Sequence, residues 1–351
     1  MLAGVVLAIA ALAAVPAGAS QEPTARTATR AREAVSLPYQ ALPVEPALPM
    51  GVVDAGRAGR SCPDGATCTA STVSCPGVPT ATATLGVSKA RGTPRGVIVM
   101  FSGGSGGQWW SKYNEDVTAM VPLIRDMGLT LVEVKWTGGI WTNAGVLADY
   151  GVPAFMCRTA TIVRYVYDAH FLPMGVPDGP LGRCGFCVGG NSGGSDQVGY
   201  LLSHFGLGDI IDRAIPSGGP PHSALTKACL TDPLQSKYWL SDGKRKQLDL
   251  RYGFASGTGP CYLHDASFSA RWDADAVATG GSDYAHPTTW VHFLIGANDG
   301  KMKVTASDYR VRLESGGTGV TWELIPKTSH TIWTTPAGRD AFLAALQAST
   351  G

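Results

Sequence analysis

Charge is scarce in this chain. Only 16 % of its 351 residues are Asp, Glu, Lys or Arg, and the formal balance is +1. That excludes the basic surface a nucleic-acid partner needs. With 44 % hydrophobic content it also excludes a disordered chain and fits a rigid globular protein. Long apolar runs are almost absent. The one candidate, Leu2–Val15, is interrupted by Pro16 and Gly18 at the length where a bilayer span would have to continue. No stable membrane span is expected. Ala17-Gly18-Ala19 before Ser20 has the small-residue form of a cleavage site, so residues 1–19 are expected to be a secretory signal peptide. No Lys or Arg precedes the apolar run, the first cation being Arg26, and a start codon further upstream fits that pattern.

Metal and phosphate signatures are missing as well. Cys184-Gly185-Phe186-Cys187 has C-x-x-C spacing, but no second pair and no paired-histidine motif joins it, so no metal is expected. It leads into a strand rather than opening a helix, which argues against a redox role. No Gly-Lys-Ser/Thr follows the glycine-rich stretch 102–107, so a phosphate loop is excluded. No organic cofactor is implied, and no internal repeat is evident.

What the chain does have is cysteine in an even count. Cys62, Cys68, Cys75, Cys157, Cys184, Cys187, Cys229 and Cys261 all lie beyond the leader, which fits an oxidised, extracellular protein held by disulfides. Their connectivity is open in principle. The spacing favours one bridge within the Cys62/Cys68/Cys75 group and one joining Cys229 to Cys261. Residues 20–60, rich in Ala, Pro, Arg and Thr without a sustained period, read as a linker or pro-segment. Residues 61–351 read as one catalytic domain.

Within that domain, strand-like and helix-like segments alternate. Val97–Phe101, Leu129–Val134, 184–189, Ile210–Ile215, Trp290–Ile295 and Val320–Ile325 read as strands. Helices are expected around Asp116–Met127 (with Met120, Leu123 and Ile124 on one face), Val152–Phe171, 195–205, 303–313 and Gly338–Gln347. Such β-α alternation predicts an α/β fold, a mostly parallel sheet with helices on both faces. Ligands then bind beyond the carboxyl ends of the strands. Residues 222–288 break the rhythm and read as a cap-like excursion.

The pattern Gly-x-Ser-x-Gly occurs twice, around Ser105 and around Ser192. In a chain with 45 glycines the pattern alone proves little, so its context must decide. Ser192 follows the apolar Phe186-Cys187-Val188. It precedes Val198, Leu201, Leu202 and Phe205, the i, i+3, i+4, i+7 stripe of a helix. Strand, tight glycine turn and helix are what a nucleophilic serine needs. Ser105 is followed by Gln108-Trp109-Trp110-Ser111-Lys112, a poor helix start. A serine hydroxyl also needs a base and a group that orients the base. His330, beyond Val320–Ile325, and Asp299, beyond Trp290–Ile295, both follow late strands. Among the alternatives, Asp196 reads as a helix N-terminal charge, His204 as surface or packing and His292 as buried. His222 is the serious rival base.

With Ser192, Asp299 and His330 in that chain order, residues 83–350 resemble a secreted serine hydrolase of the α/β-hydrolase superfamily. Pectin acetylesterase-like and polyester-hydrolase-like enzymes share pieces of the pattern. The resemblance implies an oxyanion hole from the backbone N–H groups of Gly193 and of the 102–107 loop, Gly104 being favoured. That loop carries Ser102 where such esterases often have histidine and Ser105 in place of a third glycine. The function expected is ester hydrolysis through an acyl-enzyme, on a small-molecule, lipid, glycan or polyester ester. A serine peptidase and a non-catalytic binding protein on the same fold are the alternatives. Trp109, Trp110, Trp136, Trp141 and Trp333 follow strand ends and are candidate cleft walls. Trp290 and Trp322 are candidate core.

Overall fold

The computed structural model describes residues 47–59, 61–139, 149–176, 184–230, 237, 238, 240–280 and 283–348. The expected leader, most of the 20–60 segment, Trp141 and Trp239 lie outside them. Three strands come first: β1 (Val52–Ala58), β2 (Thr67–Cys75) and β3 (Val78–Ser88). Then follow β4 (Gly96–Phe101), α1 (Glu115–Asp126), β5 (Leu129–Trp136), α2 (Gly151–Val166), β6 (Phe186–Asn191) and α3 (Gly193–Ser203). After β7 (Arg213–Ser217) the described residues form the α-helices α4 (Leu225–Cys229), α5 (Asp242–Arg251), α6 (Pro260–Leu263) and α7 (Ser269–Asp275). It closes with β8 (Trp290–Gly296), α8 (Gly300–Ser315), β9 (Gly319–Ile325) and α9 (Pro336–Gln347).

The nine strands form one sheet in the order β1-β2-β3-β5-β4-β6-β7-β8-β9. From β5 to β9 all neighbours are parallel, and β1, β2 and β3 extend the sheet antiparallel at one edge. Period-two alternation along β4 sends its side chains to opposite faces. Val97, Val99 and Phe101 join the cluster that contains residues of α2, α3 and α8, while Ile98 and Met100 join Val117 and Met120 of α1 and Phe342 of α9. Both faces are thus covered, which is why the parallel strands read as unbroken apolar runs.

Local chemistry sets the helix starts. Asn114 caps α1 by accepting from the Val117 N–H, and Glu115 and Asp116 complement the helix dipole in its first turn. Val117, Met120, Val121 and Ile124 turn to the sheet, whereas Leu123 is exposed, contrary to the expected stripe. The sheet begins earlier than its sequence suggested, because Val52–Ala58, inside the segment read as linker, is an edge strand. β6 ends later than expected, since its last three residues are the small Gly189 and Gly190 and the polar Asn191. The 222–288 excursion is built from α4 to α7.

Four disulfides join Cys62 to Cys68, Cys75 to Cys157, Cys184 to Cys187 and Cys229 to Cys261. Among the described residues no helix is long and apolar enough to cross a membrane. Cys75–Cys157 spans 82 residues and ties the antiparallel edge to α2, so it removes the most freedom from the unfolded chain. A chain-entropy estimate gives about 4–5 kcal/mol for a loop of that length. Cys75→Ser/Cys157→Ser is expected to lower the melting temperature by on the order of 10 °C while leaving the parallel part of the sheet intact. Calorimetry of the double variant checks this, and a Tm unchanged from the parent refutes it.

Candidate active site

Ser192 sits between the last residue of β6 and the first of α3, with φ 57° and ψ −119°. A non-glycine residue in that region is strained and persists only where its surroundings hold it. The hold is visible. The Ser192 N–H donates to Ser217 O on the neighbouring strand end, and Ser192 O accepts from both the Asp196 N–H and the Ser195 hydroxyl. The flanking glycines allow the turn to pack. A Cβ on Gly190 would lie 2.6 Å from the Gly194 carbonyl, and one on Gly194 would lie 2.6 Å from Phe101 O. Gly194→Ala is therefore expected to cost on the order of 1–3 kcal/mol in denaturant melts, since overpacking forces backbone to shift. Unchanged stability would mean that the elbow has slack.

The loop after β4 lies against this turn. Gly104 has φ 62°, and a Cβ on Gly193 would meet Gly104 O at 2.3 Å and Gly104 N at 3.2 Å. A Cβ on Gly103 would lie 3.6 Å from Ser192 Cβ. The structure thus brings the two glycine motifs of the sequence, 103–107 and 190–194, into contact. The Gly106 N–H donates to Gly103 O, and Gly106 O accepts from the Trp136 N–H, which fixes the loop to β5.

Asp299 follows β8 and caps α8. Its Oδ1 accepts from the Met302 N–H at 3.2 Å, and its Oδ2 lies 2.8 Å from Nδ1 of His330. With both oxygens engaged, the buried carboxylate holds the imidazole with Nδ1–H toward itself and leaves Nε2 as the acceptor nitrogen. His330 is 35 % exposed. Its loop is tied to β8 by the Asn298 N–H to Thr328 O bond, and a Cβ on Gly296 would lie 1.9 Å from Ser329 O. Lys327, in the turn before His330, has φ 54°.

Ser192 and His330 line one cleft of about 270 Å³, with Gly104, Trp110, Trp333 and Tyr113 among its walls. Trp110 and Trp333 meet edge to face at 5.6 Å, with Phe342 behind them. Glu133, fully buried on β5, accepts from the Ser111 N–H at 2.7 Å and so anchors the turn that carries Trp110. Burial pushes the Glu133 carboxyl up, and its bonds from Ser111 oppose that. Trp109 also lines the cleft, whereas Trp136 instead donates to Gln197 of α3. Trp290 on β8 and Trp322 on the edge strand β9 are half-buried rather than core. Gln108, Tyr113, Asn191 and Thr331 line the cleft without having been singled out in the sequence. Only Asn191, beside the serine, carried a positional signal. No described residue of the 222–288 excursion lines the cleft.

The rivals are placed elsewhere. His292 on β8 contacts Glu323 of β9 at 3.2 Å. His204 is buried at the end of α3, its Nδ1 2.7 Å from the Ser203 hydroxyl, and burial lowers its pKa to about 4. It lines a larger cavity of about 610 Å³ between α2, α3 and α7, which contains neither Ser192 nor His330. His222 packs on Asp196, which is buried rather than a solvated helix charge. Among the described residues no group of three His, Cys, Asp or Glu is placed to hold a metal ion.

No protein-family model matches this chain, and no curated protein does. Solved structures do resemble it. Carboxyl esterase 2 from the mycorrhizal fungus Tuber melanosporum aligns over 84 % of this chain and 89 % of its own at 16 % identity, with a TM-score of 0.50. The Pyrobaculum calidifontis esterase aligns over 80 % and 84 % at 13 % identity and a TM-score of 0.48. The Pyrococcus horikoshii acylaminoacyl peptidase matches over 82 % of this chain but 42 % of its own, at 11 % identity and a TM-score of 0.48. Such identities speak for the fold alone. The fold is that of the α/β-hydrolases.

Proposed function

We propose that this protein is a secreted carboxylic ester hydrolase working through an acyl-enzyme. Ser192 attacks the ester carbonyl carbon and His330 Nε2 takes its proton. The tetrahedral intermediate collapses as the imidazolium protonates the departing alcohol, and water then repeats the sequence on the acyl group. Asp299 fixes the imidazole tautomer and stabilises the imidazolium. The backbone N–H groups of Gly193 and Gly104 stabilise the oxyanion, which develops only once the serine attacks. No metal or organic cofactor enters any step.

One observation carries this reading. A strained serine at a strand–helix turn shares a cleft with a histidine already oriented by a buried carboxylate. The cleft volume of about 270 Å³ and its tryptophan walls favour a short acyl chain or an aromatic ester. Secretion rests on the leader-like residues 1–19 and on the four disulfides. A fluorophosphonate probe tests the nucleophile directly, because it labels an activated serine without requiring the natural substrate. Labelling at Ser192 is expected, and esters of two to four acyl carbons are expected to turn over faster than those of eight or more. Absence of labelling on folded protein overturns the reading.

A further inference from the structure

A second aspartate–histidine pair lies behind the nucleophile. His222, just after β7, has Nδ1 3.2 Å from Oδ2 of Asp196, and its backbone N–H donates to Asp196 Oδ1 at 2.7 Å. Its Nε2 lies 3.2 Å from Nη1 of Arg251, at the end of α5. A guanidinium can only donate, so Nε2 accepts and the ring proton sits on Nδ1, facing the carboxylate. The pair sets a histidine against an aspartate as Asp299–His330 does, through a 3.2 Å Nδ1–Oδ2 contact rather than a 2.8 Å hydrogen bond. An arginine occupies the position where a base would meet its serine. We propose that Asp196, His222 and Arg251 form a positioning array that fixes the first turn of α3, and with it Ser192 and the Gly193 N–H, against the excursion.

The connections run both ways. The Asp196 N–H donates to Ser192 O, so the residue that receives His222 also holds the nucleophile's carbonyl. On the other side, Arg251 O accepts from the Tyr150 N–H, and His222 O accepts from the Val277 N–H. Asp196 and His222 are buried and Arg251 is half-buried. The groups facing them are Tyr200, one turn along α3 with its ring 6.4 Å from the imidazole, Lys244 of α5, and Tyr252 beside Arg251. The Tyr200 hydroxyl is spent on Asp275 O. Burial, then the Arg251 and Lys244 charges, hold His222 well below the ordinary histidine range, which keeps it neutral. Burial drives the Asp196 carboxyl upward, and the His222 N–H and the Arg251 cation oppose that. Truncating one member of such an array removes a buried polar contact from its neighbour.

The proposal rests on Ser192 being the nucleophile, and two readouts separate the ideas. ¹⁵N-histidine spectra of the wild-type protein are expected to show His222 as the neutral Nδ1–H tautomer, whatever the activity. Asp196→Asn turns an amide donor toward Nδ1–H and forces the ring to flip its proton toward Arg251. The rate of fluorophosphonate labelling is then expected to fall by about 10²-fold, the scale of an ångström-sized misplacement. Arg251→Met is expected to slow labelling likewise, and Arg251→Lys, which keeps the cation, to retain most of the rate. If Asp196→Asn does not fold, the tautomer and the Arg251 pair still decide. Wild-type labelling with unaltered rates in Asp196→Asn and Arg251→Met overturns the array alone, as does an Nε2–H tautomer. A wild-type protein that takes no label overturns the nucleophile reading and the array with it.

Discussion

Ser192→Ala is expected to lower kcat for ester hydrolysis by on the order of 10⁶, the loss typical when the nucleophile of a triad is removed. The same change at Ser105 is expected to leave a substantial fraction of activity. The two serines share a five-residue pattern, but only one is built into a strand–helix turn. Ser192 has φ 57°, flanked by glycines whose neighbours lie too close for any Cβ. Ser105 sits in the loop that packs against that turn, where the proposed mechanism calls on backbone rather than hydroxyl groups. Comparing the two variants in a single ester assay, with melting curves to confirm folding, is decisive. Losses of similar size would remove Ser192 from the mechanism.

The second large effect concerns Asp299. Asp299→Asn keeps the size and an acceptor oxygen, so α8 keeps its cap from the Met302 N–H and the fold is expected to survive. What changes is the partner of His330 Nδ1. An amide N–H turned toward that nitrogen favours the wrong tautomer, and turnover is expected to fall by roughly 10⁴. A fully active Asp299→Asn in an ester assay would contradict the pairing.

Much of this site was legible beforehand because its residues follow apolar strands whose pattern survives burial on both faces. Val97–Phe101 and Trp290–Ile295 were unambiguous for that reason, and the positions after them had only to be searched for serine, acid and base. β1, β2 and β3 were not legible. Segments such as Thr67-Cys68-Thr69-Ala70-Ser71 alternate small and polar residues, and antiparallel pairing at a half-exposed edge asks for little hydrophobicity. Leu123 misled because a stripe read from spacing does not say how wide the covered face is. The surroundings of Asp196 were unreadable for another reason. Its partners are 26 and 55 residues away, on β7's exit and on α5, and no local period connects them. The Cys75–Cys157 bridge was hidden in the same way, by a separation of 82 residues.

The order of the sheet has a consequence for the proposed chemistry. Ser192 follows β6, whereas the proposed acid and base lie 107 and 138 residues later in the chain, beyond β8 and β9. Those two strands add to one edge of the sheet, and α9 then seats Phe342 beneath the Trp110–Trp333 pair. On the proposed mechanism, a chain interrupted before β8 has the serine without its acid or base. Such a fragment is expected to take no fluorophosphonate label, so reactivity would be acquired last, with the C-terminal elements.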